Sequence, residues 1–105
     1  MITITIPHPT DPSYDERHGP SQWQERLTGA HYVWEKAGAD LRQFQGRRSG
    51  DCAEDVRHLI EVILRDPASF HFGVVNYPTF VSVVANLTYL FFTLREQPDG
   101  IVQVT

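Results

Sequence analysis

Two side chains that could bind a metal ion or transfer a proton, Asp55 and His58, stand three residues apart, on one face of a predicted helix. A metal centre needs at least three donors, and His31 and Glu35 offer a similar pair at a spacing of four. If the two faces met, they would suit a ligand- or metal-binding helical bundle with enzymatic activity. A solvated charged face around His58 is the simpler interpretation, and we favour it.

Three arginines, Arg42, Arg47 and Arg48, cluster around a predicted turn between two helices. Guanidinium groups bind phosphate and carboxylate through paired hydrogen bonds, so the cluster is a candidate anion-binding site. With the aromatic residues over 70–77 it is also a candidate nucleic-acid surface. However, that stretch lacks the basic residue and the central aromatic residue of the RNA-recognition strand motif. The formal net charge of −4 also argues against a polyanion. We therefore expect no nucleic-acid partner.

The single cysteine, Cys52, falls in the first turn of a predicted helix, where the helix dipole can lower a thiol pKa. A nucleophilic thiol also needs a base, and His58, six residues further on, points to a different side of the helix. Cys52 shares its face with Val56, Leu59 and Ile63. We therefore predict a buried structural cysteine.

Charged and apolar residues separate cleanly along the segment 50–65, which predicts a helix. Asp51 and Glu54 form a capping-box pair at its start, and Pro67 stops it.

A second helix is predicted over 78–96, where the seventeen residues 78–94 carry no formal charge. Almost every residue outside one thin polar stripe is apolar, so this helix needs more cover than a small domain usually supplies. A hairpin through Ala85 and Asn86 is the alternative, which the lack of a glycine turn disfavours. The polar stripe consists of Thr79, Ser82, Asn86, Tyr89 and Thr93.

A third helix is predicted over 21–45, because apolar residues recur there at alternating steps of four and three. Small residues alternate with bulky ones, so another helix could approach closely at Ala30 and Ala37. An ordinary core face is the simpler interpretation of this seam, and an interface with a protein partner is the alternative. The interface candidates, with two residues from the helix over 78–96, are Trp23, Leu27, Ala30, Trp34, Ala37, Leu41, Phe44, Phe91 and Phe92.

Strict alternation of isoleucine and threonine over 2–6 predicts a half-buried strand, and 101–105 is a second strand candidate. The proline-rich segment 8–20 predicts a loop, and 67–76 predicts an aromatic connection. The predicted fold class is mainly α (α+β). It is a three-helix bundle in a single domain, 1–105, whose terminal strands pair with each other or across a dimer.

The composition, 41% apolar and 21% charged over 105 residues, is typical of one globular domain. The segment 78–94 is shorter than the roughly 20 apolar residues that span a bilayer, and MITITIP lacks a secretory-signal pattern. We therefore expect no membrane association and a cytoplasmic location. Catalytic and cofactor motifs are absent from the sequence, so we predict no enzyme and no cofactor. The predicted function is a small protein–protein interaction module, such as an inhibitor, an immunity-like protein or a regulatory adaptor. We expect it to bind a protein partner and to form a homodimer.

Overall fold

The computed structural model describes residues 2–25, 30–71 and 77–105, apart from the side chains of residues 12, 30–32, 70, 71 and 77–80. Within these ranges the chain has a mixed α/β fold with five α-helices and one antiparallel three-stranded sheet. In chain order the elements are β1 (Thr3–Ile6), α1 (Pro12–His18), β2 (Ser21–Gln24), α2 (Ala30–Lys36), a 3₁₀ turn (Leu41–Phe44), α3 (Ser49–Arg65), α4 (Pro67–His71), α5 (Tyr77–Glu96) and β3 (Gln103–Val104).

The sheet has β1 at its centre, in the order β2-β1-β3. Ile4 and Ile6 are fully buried and alternate with partly buried threonines, as the period of two requires. Ile4 is opposite Trp23 on one side and Val104 on the other, so three strands contribute to one core-facing surface. The predicted pairing of the two terminal strands with each other is therefore confirmed, within one chain.

The helix α5 lies against both α3 and β2. Its inner side chains Val83, Leu87, Leu90 and Leu94 are buried. Two hydrogen bonds to its backbone fix it in place: the Ser49 hydroxyl donates to the Leu94 carbonyl at 2.7 Å, and the Trp23 indole N–H donates to the Asn86 carbonyl at 2.9 Å. The core therefore lies between one helix pair and the inner face of the sheet.

The two predicted helices over 50–65 and 78–96 correspond closely to α3 and α5. The segment around Ala85 and Asn86 is continuous α-helix, so the hairpin alternative is wrong. The first backbone N–H groups of α3 find acceptors outside the helix: Ser49 donates to the Gly100 carbonyl and Gly50 to the Pro98 carbonyl, both at 2.8 Å. The C-terminal segment therefore satisfies donors that a local cap would otherwise have to satisfy.

The prediction of one helix over 21–45 is wrong. Ser21–Gln24 is strand β2, and two short helical pieces follow it. The helix α2 ends before Gly38, whose φ of +91° is left-handed, and Asp40 then caps the 3₁₀ turn by accepting from the Arg42 N–H. The buried residues of the predicted seam in the described ranges, Trp23, Trp34, Leu41 and Phe44, are core residues, but they reach the core from three different elements.

Two further segments differ from the prediction. The loop expected over 8–20 contains α1, which Asp11 caps by accepting from the Tyr14 N–H. The connection expected over 67–76 contains α4, and residues 72–76 lie outside the described ranges. The described chain is therefore a sheet with packed helices and not a three-helix bundle with flanking strands.

Candidate functional site

Each of the three candidate anion-binding arginines forms an ion pair with a different aspartate in the described structure. Arg42 donates through Nε to Asp40 at 2.9 Å, Arg47 through Nη1 to Asp55 at 2.7 Å, and Arg48 through Nη2 to Asp99 at 2.8 Å. Each of these hydrogen bonds raises the pKa of its arginine. The paired carboxylates therefore already accept from some of the guanidinium N–H groups that an external anion would need.

The second group of candidates, Asp55 and His58, lines a pocket together with Arg47. The pocket has a volume of about 220 Å³ and lies where the turn after α2 and the 3₁₀ turn meet α3. Sequence spacing suggested Asp55 with His58, but it gave no sign that Arg47 would join them from the loop before α3.

Of the matching acid–histidine pair, Glu35 does not line this pocket. The Glu35 carboxylate accepts from Arg42 at 3.3 Å, and the side chain of His31 lies outside the described part. Among the described residues, no group of three or more His, Cys, Asp or Glu side chains is arranged to hold a metal ion.

Cys52 is fully buried on the inner side of α3, as predicted. Burial raises the pKa of its thiol to about 11, against a smaller lowering effect of the nearby Arg47. Desolvation therefore outweighs the neighbouring cation, and the thiol stays protonated at neutral pH.

Most of the candidate interface seam over 21–45 is covered by this chain. Trp23, Trp34, Leu41 and Phe44 are buried in the core, and Ala37 is partly buried against it. Leu27 and the side chain of Ala30 lie outside the described residues. The described part of this seam is therefore unavailable to a partner in this conformation.

The helix α5 has apolar residues on two sides, and only one of them is covered. Phe91 is partly buried, and its ring lies under the guanidinium of Arg95 at 5.3 Å. Phe92 points outward with 55% of its surface exposed, and Tyr89 at 63% and Val81 at 49% lie on the same side of the helix, about one and three turns away. We call the exposed residues Val81, Ala85, Tyr89 and Phe92 the outer stripe, because their spacing places them within roughly 80° of the helix circumference.

The polar stripe predicted on α5 borders this outer stripe and shares Tyr89 with it. The Thr93 hydroxyl donates to the Tyr89 carbonyl at 2.9 Å, one turn back along the helix, so it needs no external partner. Asn86 and Tyr89 line a recess of about 400 Å³ together with Gln22, Trp23 and Gln24 of β2. The outer stripe is therefore bounded on this side by polar groups.

Comparison with family models, with curated proteins and with solved structures finds no match for this chain. None of the helices in the described ranges is long and apolar enough to cross a membrane.

Proposed function

We propose that this chain is a protein-association module and that it self-associates through the outer stripe of α5. The observation that carries the proposal is the exposure of Val81, Tyr89 and Phe92, three large apolar side chains on one helix face. Isolated apolar residues are common on protein surfaces, but a contiguous stripe of them is typical of an interaction site.

The charge distribution favours a second copy of the chain as the partner. Residues 78–94 carry no formal charge, whereas the whole chain carries a net charge of −4. Two copies that met elsewhere on a negative surface would bring like charges together, which costs free energy. The outer stripe lets two copies approach without that repulsion.

The order of residues along the outer stripe suits an antiparallel pair of α5 helices. In a two-fold interface, residue i of one copy contacts residue j of the other, and j contacts i. A pair centred near Leu87 places Val81 opposite Phe92 and the small Ala85 opposite the bulky Tyr89. Alternation of small and large side chains in this way lets two helices pack closely.

One charged residue adds to this arrangement. Glu96 lies on the same side of α5 as the outer stripe and is exposed. In the antiparallel pair it approaches the first turn of the second copy's α5, where the positive end of the helix dipole favours a carboxylate.

The proposal assigns binding to this chain and no catalysis or cofactor. A homodimer of this kind can act as an inhibitor, an immunity-like protein or a regulatory adaptor towards another protein, through the surface left outside the dimer. We place it in the cytoplasm, because a single buried cysteine without a disulfide suits a reducing compartment.

Light scattering across a micromolar concentration range tests self-association. A monomer has a mass of 12.0 kDa, and we expect the wild-type mass to rise towards twice that value with concentration. Phe92→Glu should hold the mass at the monomer value, because a carboxylate would be buried against the second copy without a partner.

Leu64→Glu is the matched control, since Leu64 on α3 is exposed to the same extent, 55%, as Phe92. This variant should dimerise like the wild type, and circular dichroism should show that both variants are folded. A monomeric wild type at every concentration, or a dimer that persists in Phe92→Glu, would overturn the proposal.

A further inference from the structure

A second surface of the molecule, the pocket at Arg47, combines an apolar floor with a polar rim. Phe44 and Leu59 are buried side chains that line it, and Ala37 and Ala39 beside them pack against the core. No residue of the outer stripe lines this pocket, so its function is independent of self-association. Concave sites with an apolar lining and a few polar groups are the usual form of a small-molecule site.

Hydrogen-bond donors on the rim of this pocket remain available. Arg47 donates through Nη1 to Asp55, and its Nε and Nη2 have no partner among the described residues. The side chains of Gln43 and His58 likewise make no hydrogen bond to any described residue. Up to three groups can therefore donate to one ligand at the same rim.

The guanidinium of Arg47 is already held in position. Its central carbon lies 5.6 Å from the centre of the Phe44 ring, and its Nη1 is fixed by Asp55 at 2.7 Å. A planar donor held on an aromatic ring loses little side-chain entropy when it binds a planar oxyanion.

The acidic groups near the pocket are each matched by a cation. Asp55 is paired with Arg47, and Asp40 accepts three hydrogen bonds from Arg42, one from its backbone and two from its guanidinium. This pairing lowers the pKa of Asp40 and neutralises its charge, so an incoming anion does not meet an unpaired carboxylate.

We propose that this pocket binds a small organic carboxylate with an apolar body. The carboxylate would accept from the free nitrogens of Arg47 and from Gln43 or His58, while the apolar body covers Phe44 and Leu59. The volume of about 220 Å³ is below the range of about 300–1,000 Å³ that is usual for drug-sized ligands, so it suits a ligand with one ring or one short branched chain.

Benzoate is the probe that we would use, with benzamide as its uncharged counterpart of the same shape. Titration of the folded protein is followed by two-dimensional amide NMR. We expect benzoate to shift the amide signals of residues 43–47 and 58–59 in a saturable way, and benzamide to bind about tenfold more weakly. Equal binding of the two compounds, or shifts confined to other parts of the chain, would overturn the proposal.

Arg47→Gln should weaken benzoate binding about tenfold, because the charged donors are lost. Arg47→Lys keeps the charge and loses the planar pair of donors, so it should bind benzoate with intermediate affinity. Arg57→Gln is the matched control, since Arg57 lies on α3 in ion pairs with Glu54 and Glu61 and should leave binding unchanged. An unaltered affinity in Arg47→Gln would exclude this site.

Titration with inorganic phosphate tests whether a negative charge without an apolar body is enough for binding. We expect it to bind more weakly than benzoate, since it cannot cover the apolar floor. Phosphate binding as tight as that of benzoate would contradict the assignment of an organic carboxylate.

Discussion

The helices α3 and α5 pack against each other, but their outward sides differ. The outward side of α3 carries charged residues, among which Arg57 pairs with Glu54 at 3.0 Å and with Glu61 at 2.7 Å. The outward side of α5 carries the outer stripe of apolar residues. Water solvates most of the outward surface of α3, whereas the free energy falls when another apolar surface covers the outer stripe of α5.

The apolar content of a helix and the part of that content that the chain itself buries are therefore two separate properties. Both helices place a full row of apolar side chains in the same core, including Val56, Leu59 and Ile63 from α3 and Leu87 and Leu90 from α5. The apolar residues that α5 has in addition contribute little to this core. Under our proposal they serve self-association.

The largest expected effect concerns the two sides of α5. Leu90→Ala should lower the free energy of unfolding by about 2–5 kcal/mol, because it empties a fully buried position. Phe92→Ala should lower it by less than about 1 kcal/mol, since the Phe92 ring is more than half exposed. Urea unfolding followed by circular dichroism, at a concentration below that of dimer formation, measures both values. Similar losses in the two variants would show that the side of α5 that carries Phe92 is packed as tightly as the side that carries Leu90.

The second effect concerns the inner side of α3. The pKa of Cys52 is raised from about 9 when unfolded to about 11 when folded, so the folded state holds its proton more tightly. The free energy of unfolding therefore falls as the pH rises, by about 1 kcal/mol between about pH 8 and about pH 10.

Cys52→Ala should remove that loss, while the other groups that titrate in this range act equally in both proteins. The measurement is urea unfolding at several pH values, and the compared quantity is the difference in slope between wild type and variant. The same pH dependence in both would mean that water reaches the thiol and that the inner side of α3 is not sealed.

The smallest effect concerns the outward side of α3. Arg57→Ala should lower the free energy of unfolding only slightly, because exposed ion pairs are weak and are screened by salt. Urea unfolding at low and at high salt measures it, and the difference from wild type should shrink at high salt. A loss as large as that of Leu90→Ala would mean that the charged side of α3 stabilises the fold directly.

The sequence predicted those elements whose signals are local and continuous. The helix α3 separates charged and apolar residues along its whole length, and α5 is uninterrupted by glycine, so both were located to within one residue at each end. Even here the predicted N-terminal signal, the capping-box pair of Asp51 and Glu54, is not the one that the structure uses. The N-cap of α3 is Arg48, whose side chain makes no capping hydrogen bond. The helix begins where carbonyls from the C-terminal segment accept its first N–H groups, and such distant acceptors leave no local pattern.

The segment 21–45 was predicted wrongly because its apolar spacing matches a heptad by coincidence. Trp23 faces the core from a strand that pairs with β1, a partner about twenty residues away, and this pairing outweighs local helix propensity. Gly38 falls inside the predicted helix, whereas its left-handed backbone ends α2. Asp11, Pro12 and Gly19 are ordinary helix boundary signals for α1, but the surrounding prolines suggested a loop.

The candidate pocket could be predicted only in part. The three-residue spacing placed Asp55 and His58 on one side of α3, while the approach of Arg47 depends on the path of the chain before the helix. That path is set by backbone hydrogen bonds to the C-terminal segment, from Gly46 to the Val102 carbonyl at 2.8 Å and from Val102 to the Arg47 carbonyl at 2.9 Å. These contacts link residues more than fifty positions apart.

The position of β1 at the centre of the sheet has a consequence for how the chain folds during synthesis. Its first neighbour, β2, follows soon after it, but its second neighbour, β3, is made of residues 103–104. Thr3 and Thr105 exchange a pair of backbone hydrogen bonds, each 2.9 Å long, so the sheet is complete only when the chain has closed on itself. Closing so large a loop is slow, and on a ribosome it cannot begin until the last strand has left the exit tunnel. One edge of β1 therefore stays unpaired from the time β1 leaves the ribosome until β3 follows, and chaperones have that interval in which to bind it.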